Sequence, residues 1–386
     1  MSLVVSNQRM RIPGHWVDTR LGRVVRFANG ADYREVETDE PGYPVYGSGG
    51  QFRWASDYLH DGPSVLFGRK GTLDRPLYVD GKFWTVDTMY YTIPNRRLID
   101  PRFLYYWALR FPFDYYATNT AVPSMTQNGL SSEPLSLPPL LEQRRIVEFL
   151  DHETAEIDAF IVDLTRYKRL LLERHTSTIN YHLDNTDWSV QPIKRVFKSL
   201  NHMRVPLSAD QRGEMQGDVP YYGASGQIDQ VNDYIFDEDL VLVSEDGANL
   251  LMRSTPIAFP VRGKAWVNNH AHILRPPSSH VELWSAVIQI RDIAPFVTGS
   301  AQPKFTAEAL ANFPISVPPE KHWEQLNSFI LQLTRNFETG YSEVNEAVKL
   351  SKERRSALIS AAVTGQIDVS DRYAAEKVYE EVESVQ

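Results

Sequence analysis

The chain is written twice. The run from Pro44 to Gly71 (PVYGSGGQFRWASDYLHDGPSVLFGRKG) returns without a gap from Pro220 to Gly247 (PYYGASGQIDQVNDYIFDEDLVLVSEDG). Pro44, Tyr46, Gly47, Gly50, Gln51, Asp57, Tyr58, Asp61, Leu66 and Gly71 each meet the same residue 176 positions later. Upstream, Trp16, Arg23 and Val24 anticipate Trp188, Arg195 and Val196. Downstream, Gly81-Lys82-x-Trp84 anticipates Gly263-Lys264-x-Trp266, and Pro134 with Pro138-Pro139 anticipates Pro314 with Pro318-Pro319. A solenoid repeats every ~20–50 residues, so a period this long means two copies of a whole domain with whatever links them. A duplicated molecule suits a target that is itself two separated sites.

Each copy has two parts. The first, residues 1–139 and 186–319, carries short apolar runs between Gly, Pro and Asn, such as Ser64–Phe67, Trp84–Tyr91 and Leu240–Val243; these read as strands joined by turns. A helix is expected at Pro101–Arg110 and near Val281–Ile290, which makes these parts mixed α/β. The second part, residues 140–185 and 320–369, starts after a double proline, which ends a strand ladder and suits a helix's first turn. In it Ile146, Leu150, Glu153, Ile157, Phe160, Leu164, Tyr167 and Leu171 fall at alternating steps of four and three. Leu326, Ile330, Leu333, Phe337, Gly340, Val344, Ala347 and Ser351 do the same 180 positions later. That period predicts two long helices pairing antiparallel as a coiled coil, about 35 residues and on the order of 50 Å long. The competing expectation is that each helix packs on its own globular part. The fold expected is therefore α+β, with two pseudo-two-fold-related mixed α/β domains separated by the helical pair, and an acidic tail at 370–386.

Composition narrows the chemistry. There are no cysteines, which excludes disulfides and thiolate metal sites and points to a reducing cytoplasm. The first residues are too polar for a signal peptide, and no run approaches the ~18 apolar residues of a membrane span, so no membrane association is expected. The net charge of −9 sits largely in the helical segments and the tail. The globular parts carry 15 basic and 14 acidic residues (1–139) and 11 basic and 14 acidic residues (186–319). Affinity for nucleic acid comes chiefly from neutralised phosphates, so a chain of this charge would grip DNA with a basic partner's help. No phosphate-binding glycine loop, no Asn-Pro-Pro-Tyr/Phe methyltransferase motif and no acidic nuclease cluster is present. His270 and His272 alternate onto one face of a strand, but two ligands without a third make a poor metal site, and none is expected.

Together the pieces resemble the specificity subunit of type I restriction–modification enzymes, over nearly the whole chain. The resemblance rests on Pro44–Tyr58 and Pro220–Tyr234, on Phe67-Gly68-Arg69-Lys70-Gly71 and Ser244-Glu245-Asp246-Gly247-Ala248, and on Gly299-Ser300-Ala301-Gln302-Pro303-Lys304. It rests also on Pro138-Pro139 with Glu142-Gln143-Arg144-Arg145-Ile146-Val147, and on the stretch from Glu353 to Ile367. It implies a non-catalytic protein with two target recognition domains reading the halves of a bipartite double-stranded DNA site, the helices setting the spacer. It further implies docking of two modification (methyltransferase) subunits carrying S-adenosylmethionine, and through them restriction subunits driven by ATP and magnesium, with no cofactor on this chain. The second helix start departs from the pattern: its Glu324-Gln325 is displaced by two residues and lacks the Arg-Arg pair.

Base edges are read in the major groove by side chains. Candidate readers are Ser48, Gln51, Arg53, Arg69, Lys70 and Arg75 in the first copy and Ser225, Gln227, Asn249 and Arg253 in the second, with Lys82, Lys264 and Lys304 as phosphate contacts. The shared glycines and tyrosines have an alternative role as hairpin scaffold. Since two half-sites usually differ, positions that differ between copies, such as Arg53 against Asp229, are the better readers. Glu142, Gln143, Arg144, Arg145, Arg354 and Arg355 are candidates for subunit docking, against the alternative of a solvated helix face. B-DNA repeats every ~34 Å, a scale the helices match. Two other classes compete: a coiled-coil adaptor that binds proteins, not DNA, and a self-sufficient nuclease or methyltransferase.

Overall fold

The computed structural model describes residues 13–118, 121–184, 187–299 and 302–369; the acidic tail and part of the Gly299–Lys304 motif lie outside them. The chain forms two compact units, one of residues up to Leu164 with those from Ala347 onward, the other of Thr165–Glu346. The boundary falls inside both long helices, Leu140–Leu183 and Trp323–Val363 (the central and distal helices below). No helix of the described residues is long and apolar enough to cross a membrane.

In the first unit, Val17–Arg20 pairs with Pro134–Leu137. A four-stranded antiparallel sheet runs in the order Val25–Asn29, Met89–Pro94, Ser64–Gly68, Leu77–Val79. A second sheet runs Glu37–Thr38, Gly50–Ala55, Tyr43–Gly47, Lys82–Thr85, His60–Asp61, with Tyr43–Gly47 parallel to Lys82–Thr85. The second unit repeats both sheets with one edge strand fewer: Lys198–Ser199, Ala271–Arg275, Leu240–Ser244, Ala258–Val261, then Gly226–Val231, Val219–Gly223, Lys264–Val267, Phe236–Asp237. Ser64–Gly68 and Leu240–Ser244 are buried along their whole length, which explains why these apolar runs do not alternate. The run Trp84–Tyr91 divides between two strands, because the backbone turns at Val86–Thr88.

The expected short helices form at Pro101–Ala108 and Val281–Gln289. The first starts at Asp100, whose carboxylate accepts from the amides of Arg102 and Phe103, with Pro101 in the first turn. Its Phe103, Leu104, Tyr106 and Trp107 join the core of the unit, along with Ile146 and Leu150 of the central helix and Ile359, Ala362 and Val363 of the distal one. Ile179, Leu183 and Ile330 enter the second unit's core in the same way.

Both expectations for the helices hold in part: their ends complete the globular cores, and the helices also pair antiparallel inside each unit. In the first unit Arg355 donates to Asp158 at 2.9 and 3.1 Å. In the second, the Lys168 ammonium lies 4.5 Å from the Tyr341 ring, His175 stacks on Phe337 at 4.5 Å, and the rings of His182 and Phe329 lie 4.3 Å apart. All eight seam positions expected on the distal helix are buried or half-buried. The central helix differs. Phe160 and Tyr167 are 53% and 52% exposed, and half-buried Ile161 and Lys168 take their places. Two successive steps of four, Leu150 to Thr154 after Ile146 to Leu150, rotate the buried stripe by one position, as a stutter does.

Candidate nucleic-acid interface

The glycines common to both copies build backbone. Gly50 and Gly226 close the hairpins with φ of 104° and 121°, conformations that L side chains rarely adopt. Both hairpins carry the same bulge. Val45 faces Arg53 and Tyr46 faces Gln51, which leaves Phe52 without a partner; Tyr221 faces Asp229 and Tyr222 faces Gln227, which leaves Ile228. Half-buried Tyr46 and Tyr222 pack beneath as scaffold. In the Gly-Lys-x-Trp motif, the indole N–H of Trp84 donates to the Ala31 carbonyl at 3.0 Å and that of Trp266 to Val205 at 2.7 Å. The motif's lysines sit on the matched tyrosines within the repeat run: Lys82 Nζ is 4.5 Å from the Tyr58 ring and Lys264 Nζ 4.5 Å from that of Tyr234.

A second shared feature lies where the hairpin turn meets the central strand of the neighbouring sheet. Lys70 bridges Ser124 and, at the matched place, Asp246 bridges Lys304. The amides of Gly71 and Gly247 reach Pro123 and Pro303 in the same way. Each unit therefore presents one exposed lysine here, from opposite sides of one bridge. The hairpin turns join this edge: Ser244 Oγ donates to the Ala224 carbonyl, and Val86 and Lys70 donate to the carbonyls of Tyr46 and Thr88. Ser48, Gln51, Arg69 and Lys70 thus gather at one end of the first unit's sheets, and Ser225, Gln227 and Lys304 at the matching end of the second. Lys82 and Lys264 begin the strands that end there, so they stand away from the group.

The matched charges behave differently. Arg69 donates to the Asp87 carbonyl at 3.3 Å and leans over Tyr90. Its counterpart Glu245 turns inward to Arg204, with buried His272 at 3.5 Å, and Asp246 binds His270 at 2.9 Å. His272 Nδ1 accepts from Asn201 at 2.9 Å and its Nε2–H donates to the Phe305 carbonyl at 2.7 Å, while burial pushes the imidazole pKa below its ordinary value. This histidine is a core strut. Among the described residues no group of three or more His, Cys, Asp or Glu could hold a metal.

Arg53 pairs with Glu37 of the edge strand at 3.0 Å, and its counterpart Asp229 pairs at 2.7 Å with Arg212 of the helix Ala209–Glu214, so both are engaged in ion pairs but with partners from different elements. Arg75 stands exposed on the loop before Leu77. Asn249 Oδ1 accepts from Thr255 N and Ser254 Oγ, both at 2.9 Å, and so closes its own turn. Arg253 is a correction to the reader set. Its guanidinium donates to the carbonyls of Gln289 at 2.8 Å and Arg291 at 2.6 Å, at the C-terminal end of Val281–Gln289, and burial lowers its pKa.

The docking candidates divide similarly. Gln143 is fully buried: its Oε1 accepts from Asp100 N at 2.7 Å, and its Nε2 donates to the carbonyls of Leu98 at 2.9 Å and Pro138 at 2.8 Å. No partner can reach it, which corrects its assignment. In the second copy its work is shared. Trp323 Nε1 donates to Pro318 and Asn327 Oδ1 accepts from Leu283 N, so the displaced Glu-Gln pair is no loss to the fold. Glu142 accepts from Trp16 Nε1 at 2.9 Å and binds His15, and Arg355 is tied to Asp158. Arg144, Arg145 and Arg354 are exposed.

The sequence matches the type I restriction modification DNA specificity domain family twice, over residues 13–161 and 185–345. A Haemophilus influenzae protein assigned as a type I restriction enzyme specificity subunit is 31% identical over 139 residues, which is 36% of this chain and 35% of that protein's length. Among solved structures, a chain from work on complex assembly and conformational transition of a type I restriction–modification system aligns over 92% of this chain and all of its own, with a TM-score of 0.68 at 15% identity. That likeness shows a shared fold. A type I restriction–modification S subunit from M. genitalium aligns over 94% of this chain and 98% of its own, with a TM-score of 0.47 and 12% identity.

Proposed function

Because the chain belongs to the type I restriction–modification DNA specificity family, we propose that it supplies sequence recognition, and no chemistry, to a multisubunit DNA methyltransferase and endonuclease. Each unit reads one half of a bipartite duplex site through the edge where its hairpin turn meets the lysine-bearing bridge. The observation that carries this reading is the matched pair of edges: the shared glycines hold backbone, and beside the common Gln51 and Gln227 the charged positions differ, Arg69-Lys70 against Glu245-Asp246, as two different half-sites require.

Lys70 and Lys304 contact phosphates, while Ser48, Gln51 and Arg69 in one unit and Ser225 and Gln227 in the other face base edges in the major groove. Arg53 and Arg75, and on the second unit Asn249, flank these edges. Lys82 and Lys264, held over tyrosine rings, are outlying phosphate contacts. The central helix is about 66 Å long from its 44 residues, long enough for the helical pair to set a spacer of whole DNA turns. Modification subunits bring S-adenosylmethionine, and restriction subunits bring ATP and magnesium. The exposed Arg144, Arg145 and Arg354 are docking contacts for the former. The near-neutral globular halves fit a division of labour in which the partners supply much of the phosphate grip. Mapping DNA methylation in the host with and without this gene tests the proposal. One bipartite motif should vanish with the gene; an unchanged map would reject it.

A further inference from the structure

Bulges re-aim side chains, and this one recurs at the same place in both units. At each the unpaired residue is large, apolar and about half exposed, Phe52 with its ring edge-on to Tyr33 at 5.4 Å. Phe52 is 46% exposed and Ile228 55% exposed. Each lies over a glycine of its hairpin: a Cβ built on Gly47 would come 3.4 Å from the Phe52 ring, and one on Gly223 3.1 Å from Ile228 Cδ1. Single exposed apolar residues are common and need no explanation. Two at matched bulges, each lying over a hairpin glycine while its identity changes from Phe to Ile, are different. Their placement follows from the edge already described: in the second unit the turn after Gly223 accepts from Ser244, two residues before the Asp246–Lys304 bridge, and in the first the strand ending at Gly47 connects through Tyr46–Val86 and Thr88–Lys70 to the Lys70–Ser124 bridge.

Resting on the reading of those edges as DNA-facing, we infer that Phe52 and Ile228 are specificity-determining residues, one per half-site, each packing against the C5 edge of a pyrimidine in the major groove. That edge is the apolar feature by which the groove distinguishes thymine, whose methyl group projects there, from cytosine. The lysine at the bridge anchors the backbone beside it, and the bulge lets an apolar side chain lead where an alternating strand would turn it away.

The test uses the complete complex with its modification subunits. Its recognition motif is first read from methylation of a randomised duplex library. Each pyrimidine of the two half-sites is then changed at C5 alone, thymine to uracil or cytosine to 5-methylcytosine. With the native chain, one pyrimidine in each half should show a change in methylation of about fourfold, the worth of one methyl group taken out of water. Phe52→Ser should abolish the C5 effect in one half and leave the other half intact, which also shows that the complex is assembled. Phe52→Leu should restore it, and Ile228→Ser should act on the opposite half. A complex that keeps its bipartite motif, with the same C5 responses in the native chain and both serine variants, would overturn the inference and leave the recognition function standing. A native complex with no sequence-specific methylation would overturn both.

Discussion

Gln143→Ala separates a structural from a docking role at the start of the central helix. The side chain is fully buried and makes three hydrogen bonds of 2.7–2.9 Å, which tie the first turn of that helix to Asp100, Leu98 and Pro138. Alanine strands the half-buried Asp100 amide, a donor whose lost partner costs ~1–3 kcal/mol, and removes two further bonds of ~1 kcal/mol each. The loss comes to ~3–5 kcal/mol. For a unit of this size each kcal/mol lowers Tm by ~2–4 °C, so the first unit should melt about 10 °C earlier in a circular dichroism or calorimetric scan. Trp323→Phe, which removes the bond to Pro318 and trims the ring packed edge-on against Trp284 at 5.1 Å, should cost more than the ~1 kcal/mol of that hydrogen bond alone in the second unit. Below its melting temperature, Gln143→Ala should still capture modification subunits. A native Tm combined with lost capture would refute the reasoning and make Gln143 a docking contact.

Other expectations follow from the same contacts. Gly340→Ala should stabilise the chain by ~1 kcal/mol in urea unfolding, because the new methyl meets only Leu171 at an ordinary 3.8 Å within a helix that glycine weakens. Lys70→Ala and Lys304→Ala should each lower the slope of log binding constant against log salt by ~0.9 for the complete complex, with base preferences unchanged. Burial holds the imidazoles of His175 and His272 below their ordinary pKa, so the unfolded chain takes up protons first as pH falls below about 6.5. Stability of the second unit should therefore decline from about pH 6.5 downward, and His175→Gln should shallow that decline in urea midpoints taken between pH 7.5 and 5.5. Arg144→Ala with Arg145→Ala should reduce recovery of modification subunits in a pull-down; undiminished recovery would place docking elsewhere.

What the sequence disclosed is what repetition preserves. Duplicated topology, the two long helices and the distal seam were legible because period and phase recur. The central seam was misjudged at Phe160 and Tyr167, since a one-position rotation follows from how the helix packs on its own domain, which no heptad count contains. Gln143 and Arg253 looked like surface contacts by residue type, yet their donors and acceptors are consumed by carbonyls and amides far along the chain. Phe52 and Ile228 carry no polar group that marks them in the sequence. The bulge that exposes them is a matter of strand register, and register appears only when both strands are in place.

The central claim is that two matched edges read two different half-sites independently. Arg69→Ala tests it most directly, since Arg69 lies on one edge and its counterpart Glu245 is turned inward. The motif methylated by the complete complex should be bipartite, and the variant should weaken or relax one half while the other keeps every base. A variant motif altered in both halves, or in neither, would contradict the account.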